Sequence, residues 1–381
     1  MVYLDYNAST PVDQRILAVL GEAHGVFGNP SSLQHIGGQA AGEIVEEARN
    51  RVATFARRPG QDVIFTSGAT EAAVIALLGV MLGVRERPNV VVSAAEHKAI
   101  LAAVELGARL SGGEVRTVSV DRDGVVDLNE LDALTDDSVA VVAVMAANNE
   151  TGVLGPVAEV ADIAERHGAF TFVDATQLVG KGSLDEVTKV ADILIFSSHK
   201  VYGPKGAGAL IADRHVQKVL VPIAGGGGQE RGLRGGTQNT PSIAGFGLAA
   251  ELAMKEQLMD AVRVGRLADT LLAELRRDLR DIHVNGAGAK RLSNTLNLRF
   301  AGADAEAVMA SMPDVQVSAG SACQSAVPTP SHVLLAMGAS SVEASESLRI
   351  SLGRPTTEED VRVAARSIAA AVTRVRELTS D

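Results

Sequence analysis

Cysteine is nearly absent from this 381-residue chain: Cys323 is its single thiol, and there is no tryptophan. One cysteine cannot form an intrachain disulfide or build a multi-cysteine metal site, so no metal is expected. With only 8 Phe and 3 Tyr, stacking of bases or rings on aromatic platforms is excluded as the main basis of recognition. Basic residues are in the minority, 35 against 46 acidic ones, and the resulting charge of −11 disfavours nucleic-acid backbones as direct partners. No run approaches the roughly eighteen apolar residues of a membrane span. The N-terminus, MVYLDYNAST, lacks a charged-then-apolar signal peptide. A soluble, cytoplasmic protein with no membrane partner is therefore expected. No fixed-period repeat or low-complexity tract points to a solenoid or a disordered tail. Glycine is what the chain has in excess: 38 residues, about a tenth of the total against a usual share of roughly 7%. Tight turns and close approach of backbone to a ligand follow. Cys323 itself keeps two readings, an inert small hydrophobe or the sole reactive sulfur.

Short β-branched runs alternate with helix-period segments through the first two thirds. Buried strands are predicted at 63–66 (VIFT), 89–93 (NVVVS), 117–120 (TVSV), 139–146 (VAVVAVMA), 170–173 (FTFV), 192–197 (DILIFS) and 208–212 (GALIA). Between them, Ala41, Ile44, Val45, Ala48, Val52 and Phe55 share one helical face, and Val157, Val160, Ile163 and Ala164 share another, after Pro156 and before Gly168. Such alternation predicts an α/β fold, a mostly parallel sheet with helices on both faces. Near residue 255 the pattern shifts to longer helices, predicting a second, smaller α+β domain. Its last helix is expected to open with a capping box between Thr356 and Glu359 and to bury Val361, Ala364, Ala365, Ile368, Val372 and Val375.

In an open parallel sheet, ligands bind beyond the carboxyl ends of the strands. Here those ends carry polar clusters: Ser67-Gly68-Ala69-Thr70, Asn148-Asn149-Glu150, Asp174-Ala175-Thr176-Gln177 and Ser198-His199-Lys200. Small residues opening the helix after VIFT present free N–H groups suited to a phosphate. A lysine beside Ser and His, with an aspartate on a neighbouring strand, meets the needs of a pyridoxal phosphate site. The amine forms a Schiff base, and the carboxylate keeps the pyridine nitrogen protonated. Lys205 competes with Lys200 on spacing alone. No G-x-G-x-x-G follows the early strands, and Gly225-Gly226-Gly227-Gly228 lacks that spacing, so a dinucleotide oxidoreductase has no support.

These residues sit in strings that closely resemble the cysteine desulfurases among the class V aminotransferase-like, fold-type I pyridoxal phosphate enzymes. The matching strings run in order from YLDYNASTPVD at 3–13 through GNPSSLQH, TSGATE, EHKA, NNETG, VDATQ, SSHKVYGPKG, GGGQERGLRGGT and SAGSAC to RISLGRPTTEED at 349–360. The resemblance implies a large cofactor-binding domain over 13–255, and a small domain of 1–12 and 256–381 that carries the cysteine loop. It implies that Lys200 holds the cofactor, Asp174 pairs with its ring nitrogen, Gln177 bonds its phenolic oxygen and His97 stacks on its ring. Asn149 would lie near substrate and cofactor. Ala69, Thr70, Ser197 and His199 would hold the phosphate, with Thr237 reaching across from a second subunit of a homodimer. Arg349 would bind the substrate carboxylate through its planar fork, with Arg354 the competing candidate.

By the same likeness, Lys200 removes the Cα proton of L-cysteine, with His97 a further acid–base group. Cys323 then takes the substrate sulfur as a persulfide, L-alanine is released, and the sulfur passes to an acceptor protein. Iron–sulfur cluster assembly is the commonest use of such enzymes; tRNA thiolation and DNA phosphorothioation are others. SAGSAC resembles the class with the longer catalytic loop, and its small residues suit a loop rather than a core. The sequence departs from the family at Gly235, where serine is usual, which puts the phosphate network in question. Pro328 and Pro330 are expected to restrict the loop after Cys323. The competing reading is a related lyase or aminotransferase in which Cys323 is incidental; a non-catalytic scaffold is the third.

Overall fold

The computed structural model describes residues 1–320 and 329–379. Its strands, in chain order, are β1 (Val2–Tyr3), β2 (Val63–Thr66), β3 (Asn89–Ser93), β4 (Val115–Val118), β5 (Val139–Met145), β6 (Phe170–Asp174), β7 (Ile193–Ser197), β8 (Gly208–Ala212), β9 (Ile282–Val284), β10 (Thr295–Phe300), β11 (Val315–Gln316) and β12 (Ser347–Ser351). The predicted strands are present with small shifts, but β4, at the edge of its sheet, is not buried as expected: only Val118 is buried and Thr117 is exposed. The largest shift is at 117–120, where the strand runs Val115–Val118 and the chain then turns back, pairing Val120 with Val126.

Seven strands form the main sheet in the order β2-β8-β7-β6-β5-β3-β4. Neighbours from β7 to β4 are parallel, whereas β8 runs antiparallel to both β7 and β2. Only the stretch 198–207 joins β7 to β8, too short for the helical crossover a parallel neighbour requires. Alternation along each strand divides the apolar residues between two layers. Val90, Val92, Phe172 and Ile195 pack under helices Ala69–Gly83 and Lys98–Ser111. Val91, Val142, Val173 and Phe196 pack against helices Ile36–Phe55 and Val157–Arg166. Along Ile36–Phe55 the predicted stripe is buried except Ile44, which is half-buried.

A separate apolar core surrounds the three-stranded antiparallel sheet β12-β10-β9 and the parallel pair β1-β11. The helix Thr240–Asp278 joins the two cores: Phe246, Ala249 and Ala253 belong to the first, and Val264, Leu271 and Leu275 to the second. Between these stretches Leu258 and Met259 face outward, so one continuous helix hands over from one core to the other without a linker. The segment carrying Val333, Leu334 and Ala344 returns to the first core. The last helix, Glu358–Thr379, buries the predicted stripe, but its cap lies one residue later than expected. Thr357 Oγ1 accepts the Asp360 N–H at 3.1 Å, and Asp360 Oδ2 accepts the Thr357 N–H at 2.9 Å. The Thr356 hydroxyl is used instead to accept the Gly353 N–H at 3.0 Å. Among the described residues, no helix is long and apolar enough to cross a membrane.

Phe246 is fully buried and meets Phe196 edge-on, with centroids 5.8 Å apart, beneath β7. Phe246→Ala is expected to cost about 3–5 kcal/mol in urea denaturation. A loss below about 1 kcal/mol would show that the long helix is not clamped to the sheet there.

Candidate active site

The carboxyl ends of β2, β3, β5, β6 and β7 open on one edge of the main sheet, and the polar clusters leave from there. They enclose a cavity of about 200 Å³ lined by Ala69, Thr70, His97, Asn149, Asp174, Gln177, Ser197, His199, Lys200 and Arg349. Ten of the predicted residues thus meet around one space. Thr237 does not: it lies exposed on the glycine-rich segment after residue 225 and is not part of this lining. Cys323 and Pro328 lie outside the described residues.

Lys200 ends a single tight turn after β7, and its Nζ donates to the carbonyls of Asn7 at 2.6 Å and Ala8 at 2.8 Å. Lys205 is exposed and faces a second, open cavity shared with Ser67, Thr70 and His199, so it does not compete for the position of Lys200. Asp174, the last residue of β6, is buried and accepts the Thr176 N–H at 2.8 Å. His97 caps helix Lys98–Ser111 by accepting the Ala99 N–H on Nδ1 at 3.1 Å, which places the proton of the neutral ring on Nε2. Burial lowers its pKa; the charge of Asp174 works against this, and that of Lys200 works with it.

Also at the cavity, helix Ala69–Gly83 begins after Gly68, which offers no side-chain cap. Ser197 Oγ accepts the Ala69 N–H at 2.7 Å and so fastens this helix end to β7. Gly208 lets the turn come this close, because a Cβ there would lie 2.6 Å from the Gly68 Cα. His199 Nδ1 lies 3.3 Å from Ser9 Oγ. Burial first, then Lys200, Lys205 and Lys181, depress its pKa to about 4. An uncapped helix end beside two side-chain polar groups is a phosphate cradle, and an amine, a carboxylate and an imidazole beyond it match the donor set of pyridoxal phosphate.

Arg349 projects from β12 and is almost completely buried. Its guanidinium contacts Asp5 Oδ1 at 2.6 Å and the Asn149 carbonyl at 3.2 Å, and its buried Nε has no partner among the described residues. Arg354 points elsewhere: it pairs with Asp260 at 2.7 Å and Asp13 at 3.0 Å, and lies 4.4 Å over the Tyr202 ring. It is therefore tied into the frame and absent from the cavity lining.

Several residues here were not singled out from sequence. Asn7 is a buried hub whose amide Nδ2 donates to Thr295 Oγ1 at 2.9 Å, while Asn294 Nδ2 donates to its Oδ1 at 3.1 Å. It lies within the YLDYNAST string, but only the fold reveals that its carbonyl faces Lys200. Glu96 is fully buried, and desolvation followed by the Asp174 charge pushes its carboxyl well above the ordinary range. Ser331 Oγ donates to Glu150 Oε2 at 2.5 Å, and His332 Nε2 lies 2.8 Å from the Glu96 carbonyl. The described chain just beyond the Cys323 stretch is thus fastened beside His97.

The glycine-rich segment is held from inside by Glu230, which receives both Arg49 Nη atoms at 2.8 Å and the Phe65 N–H at 2.8 Å. Within it, a Cβ on Gly235 would lie 2.8 Å from the Gly226 backbone. The absent serine therefore has a steric counterpart in the glycine run that faces it.

Two outcomes follow. Gly235→Ser should destabilise the protein by about 1–3 kcal/mol by forcing these strands of backbone apart; an unchanged melting curve would remove that account. For His199 the folded pKa lies below the unfolded value of 6.5, so its contribution to stability is present above pH 6.5 and is lost as pH falls toward 4. In urea titrations of cofactor-free protein, His199→Gln should flatten the decline over that window, and an identical slope would sink the argument.

The chain matches the aminotransferase class-V family over residues 2–363. It is 45% identical over 393 aligned positions to a cysteine desulfurase of Frankia sp. (strain EuIK1), covering 100% of this chain and 93% of the relative. It is 39% identical to the cysteine desulfurase IscS of Pseudomonas entomophila (strain L48), covering 99% and 94%. Among solved structures, a NifS-like protein superposes with a TM-score of 0.89 at 34% identity, covering 98% of this chain and 99% of the other. DndA from Streptomyces lividans gives 0.77 at 36% identity, covering 91% and 98%.

Proposed function

This chain belongs to the aminotransferase class-V family, and from that premise we propose that it is a pyridoxal phosphate-dependent cysteine desulfurase, converting L-cysteine to L-alanine and passing the sulfur onward. The observation that carries this reading is the convergence of Lys200, Asp174, His97, Gln177 and Arg349 on one cavity beside an uncapped helix end. When bound, the cofactor supplies an aldehyde for an amine and a ring that delocalises negative charge from Cα.

Each residue then has a task that its surroundings support. Lys200 contributes the amine and afterwards takes the Cα proton. Asp174 holds the proton on the ring nitrogen as a buried carboxylate at the end of β6. His97, kept neutral by burial, packs on the ring and offers Nε2 as an acid–base group. Gln177 donates to the phenolic oxygen, and Asn149 lines the same cavity. Ala69, Thr70, Ser197 and His199 hold the phosphate, completed by Thr237 of a second copy in a homodimer. Arg349, which lines the cavity and is held by Asp5, takes the substrate carboxylate. The Cys323 thiolate attacks the substrate sulfur. The carbon–sulfur bond breaks, the sulfur remains on Cys323 as a persulfide, and Cβ gains a proton on the way to alanine. With one cysteine in the chain, the persulfide discharges to an external acceptor protein in the cytoplasm, for which iron–sulfur assembly is the proposed use. The two-domain division at about residue 255 belongs to the same reading, since the substrate arginine and Cys323 both come from the C-terminal part.

Purified protein supplied with L-cysteine should release alanine, and Lys200→Ala should abolish it. Cys323→Ser should abolish sulfur transfer; alanine release at an unchanged rate in that variant would favour a lyase or aminotransferase instead. Arg349→Lys should raise KM roughly 10- to 100-fold by losing a charge-assisted fork. Arg354→Lys should leave KM near that of the parent; the reverse pattern would exchange the two assignments.

A further inference from the structure

Lys181 follows Gln177 by one helical turn's spacing, and nothing in the proposed reaction uses it. Its Nζ lies 2.6 Å from Gln177 Oε1. At the other end of the same amide, Gln177 Nε2 donates to the Asn7 carbonyl at 2.9 Å. A carbonyl can only accept, so the nitrogen of Gln177 must occupy the Asn7 end and its oxygen the Lys181 end. Both partners therefore select the same one of the two amide orientations. The Asn7 carbonyl also accepts from Lys200 Nζ at 2.6 Å, so one hydrogen-bonded line runs from Lys181 through Gln177 and Asn7 to Lys200.

The placement is unfavourable for a lysine that merely fills space. Burial, then the neighbouring charges of Lys200 and Arg349, push its amine well below the ordinary lysine range. A neutral amine still donates, so the bond to Gln177 survives loss of the charge. Without that donor, Oε1 would lose its partner and the amide would be held at one end only.

We propose that Lys181 is a positioning residue of the cofactor site: by holding Gln177 Oε1, it keeps the second N–H of Gln177 Nε2 turned into the cavity, toward the cofactor's phenolic oxygen. This rests on the reading of the cavity as a pyridoxal phosphate site. The role is exerted through Gln177, so it predicts coupling between the two positions rather than an independent effect of either.

The test is a double-mutant cycle on the holoenzyme, with Lys181→Met, Gln177→Leu and the pair. The readouts are the cofactor dissociation constant and the pH midpoint of the bound cofactor's visible band. Lys181→Met should weaken cofactor binding roughly three- to ten-fold and move the midpoint. In the Gln177→Leu background the same change should do neither. Lys181→Gln, which retains a donor, should restore the parental midpoint, and thermal melts identify any variant that fails to fold. A Lys181→Met effect that persists in full without Gln177, a midpoint that does not move, or a folded Lys181→Gln that fails to restore it would each overturn the proposal. Parent protein with no cofactor band would overturn the functional reading itself, and this inference with it.

Discussion

The site depends on one segment, Asp5 to Ala8, buried at Tyr6 and Asn7, which joins the edge of the large sheet to the small one. Asn7 is its centre. Its N–H donates to Ser351 Oγ at 2.9 Å and its side chain binds Thr295 and Asn294, all from the second core. Its carbonyl meets Lys200 and Gln177 from the first. A buried polar group without partners is costly, so every member of this network constrains the others. Two cores that share only a long helix and surface loops would slide against one another. The Asn7 network sets the register in which Arg349 of β12 reaches the cavity built on β5, β6 and β7.

Charge in the cavity is distributed by burial rather than by composition. Lys200, Lys181 and Arg349 crowd one region of a protein whose overall charge is −11. Asp5 lies against the arginine, and Asp174 sits at the end of β6. Burial, and then the charge of Asp174, push the Glu96 carboxyl toward its protonated form. His97 and His199 are both driven toward neutrality, and so act as hydrogen-bonding groups rather than as further cations. The cofactor phosphate and the substrate carboxylate thus meet Lys200 and Arg349 within a partly buried, low-dielectric space.

Much of this was legible in the residues themselves. Strand positions followed from short β-branched runs, and the burial of Val361 to Val375 followed from a helical period. Site residues were legible because parallel strands deliver their carboxyl ends to one edge, so a polar cluster after each strand has only one place to converge. The capping box was misplaced by one residue because Thr356 and Thr357 both precede an acidic residue by three. Tertiary contact, the bond from Thr356 to Gly353, decided between them.

Tertiary structure alone decided what distance along the chain conceals. Arg349 and Arg354 are equally plausible as a string, yet the alternation of β12 buries one beneath the cavity, while the other is drawn to Asp13 and Asp260. Asn7, Glu96 and Lys181 carry no signal that separates them from ordinary polar residues until the fold sets their partners. The chain by itself determined the alternation of elements and the inventory of chemistry, a single thiol included, because periodicity and residue type are local properties. Which amine, which arginine and which amide orientation face the cavity depends on contacts across hundreds of residues, and such contacts exist only once both cores have closed on Asn7.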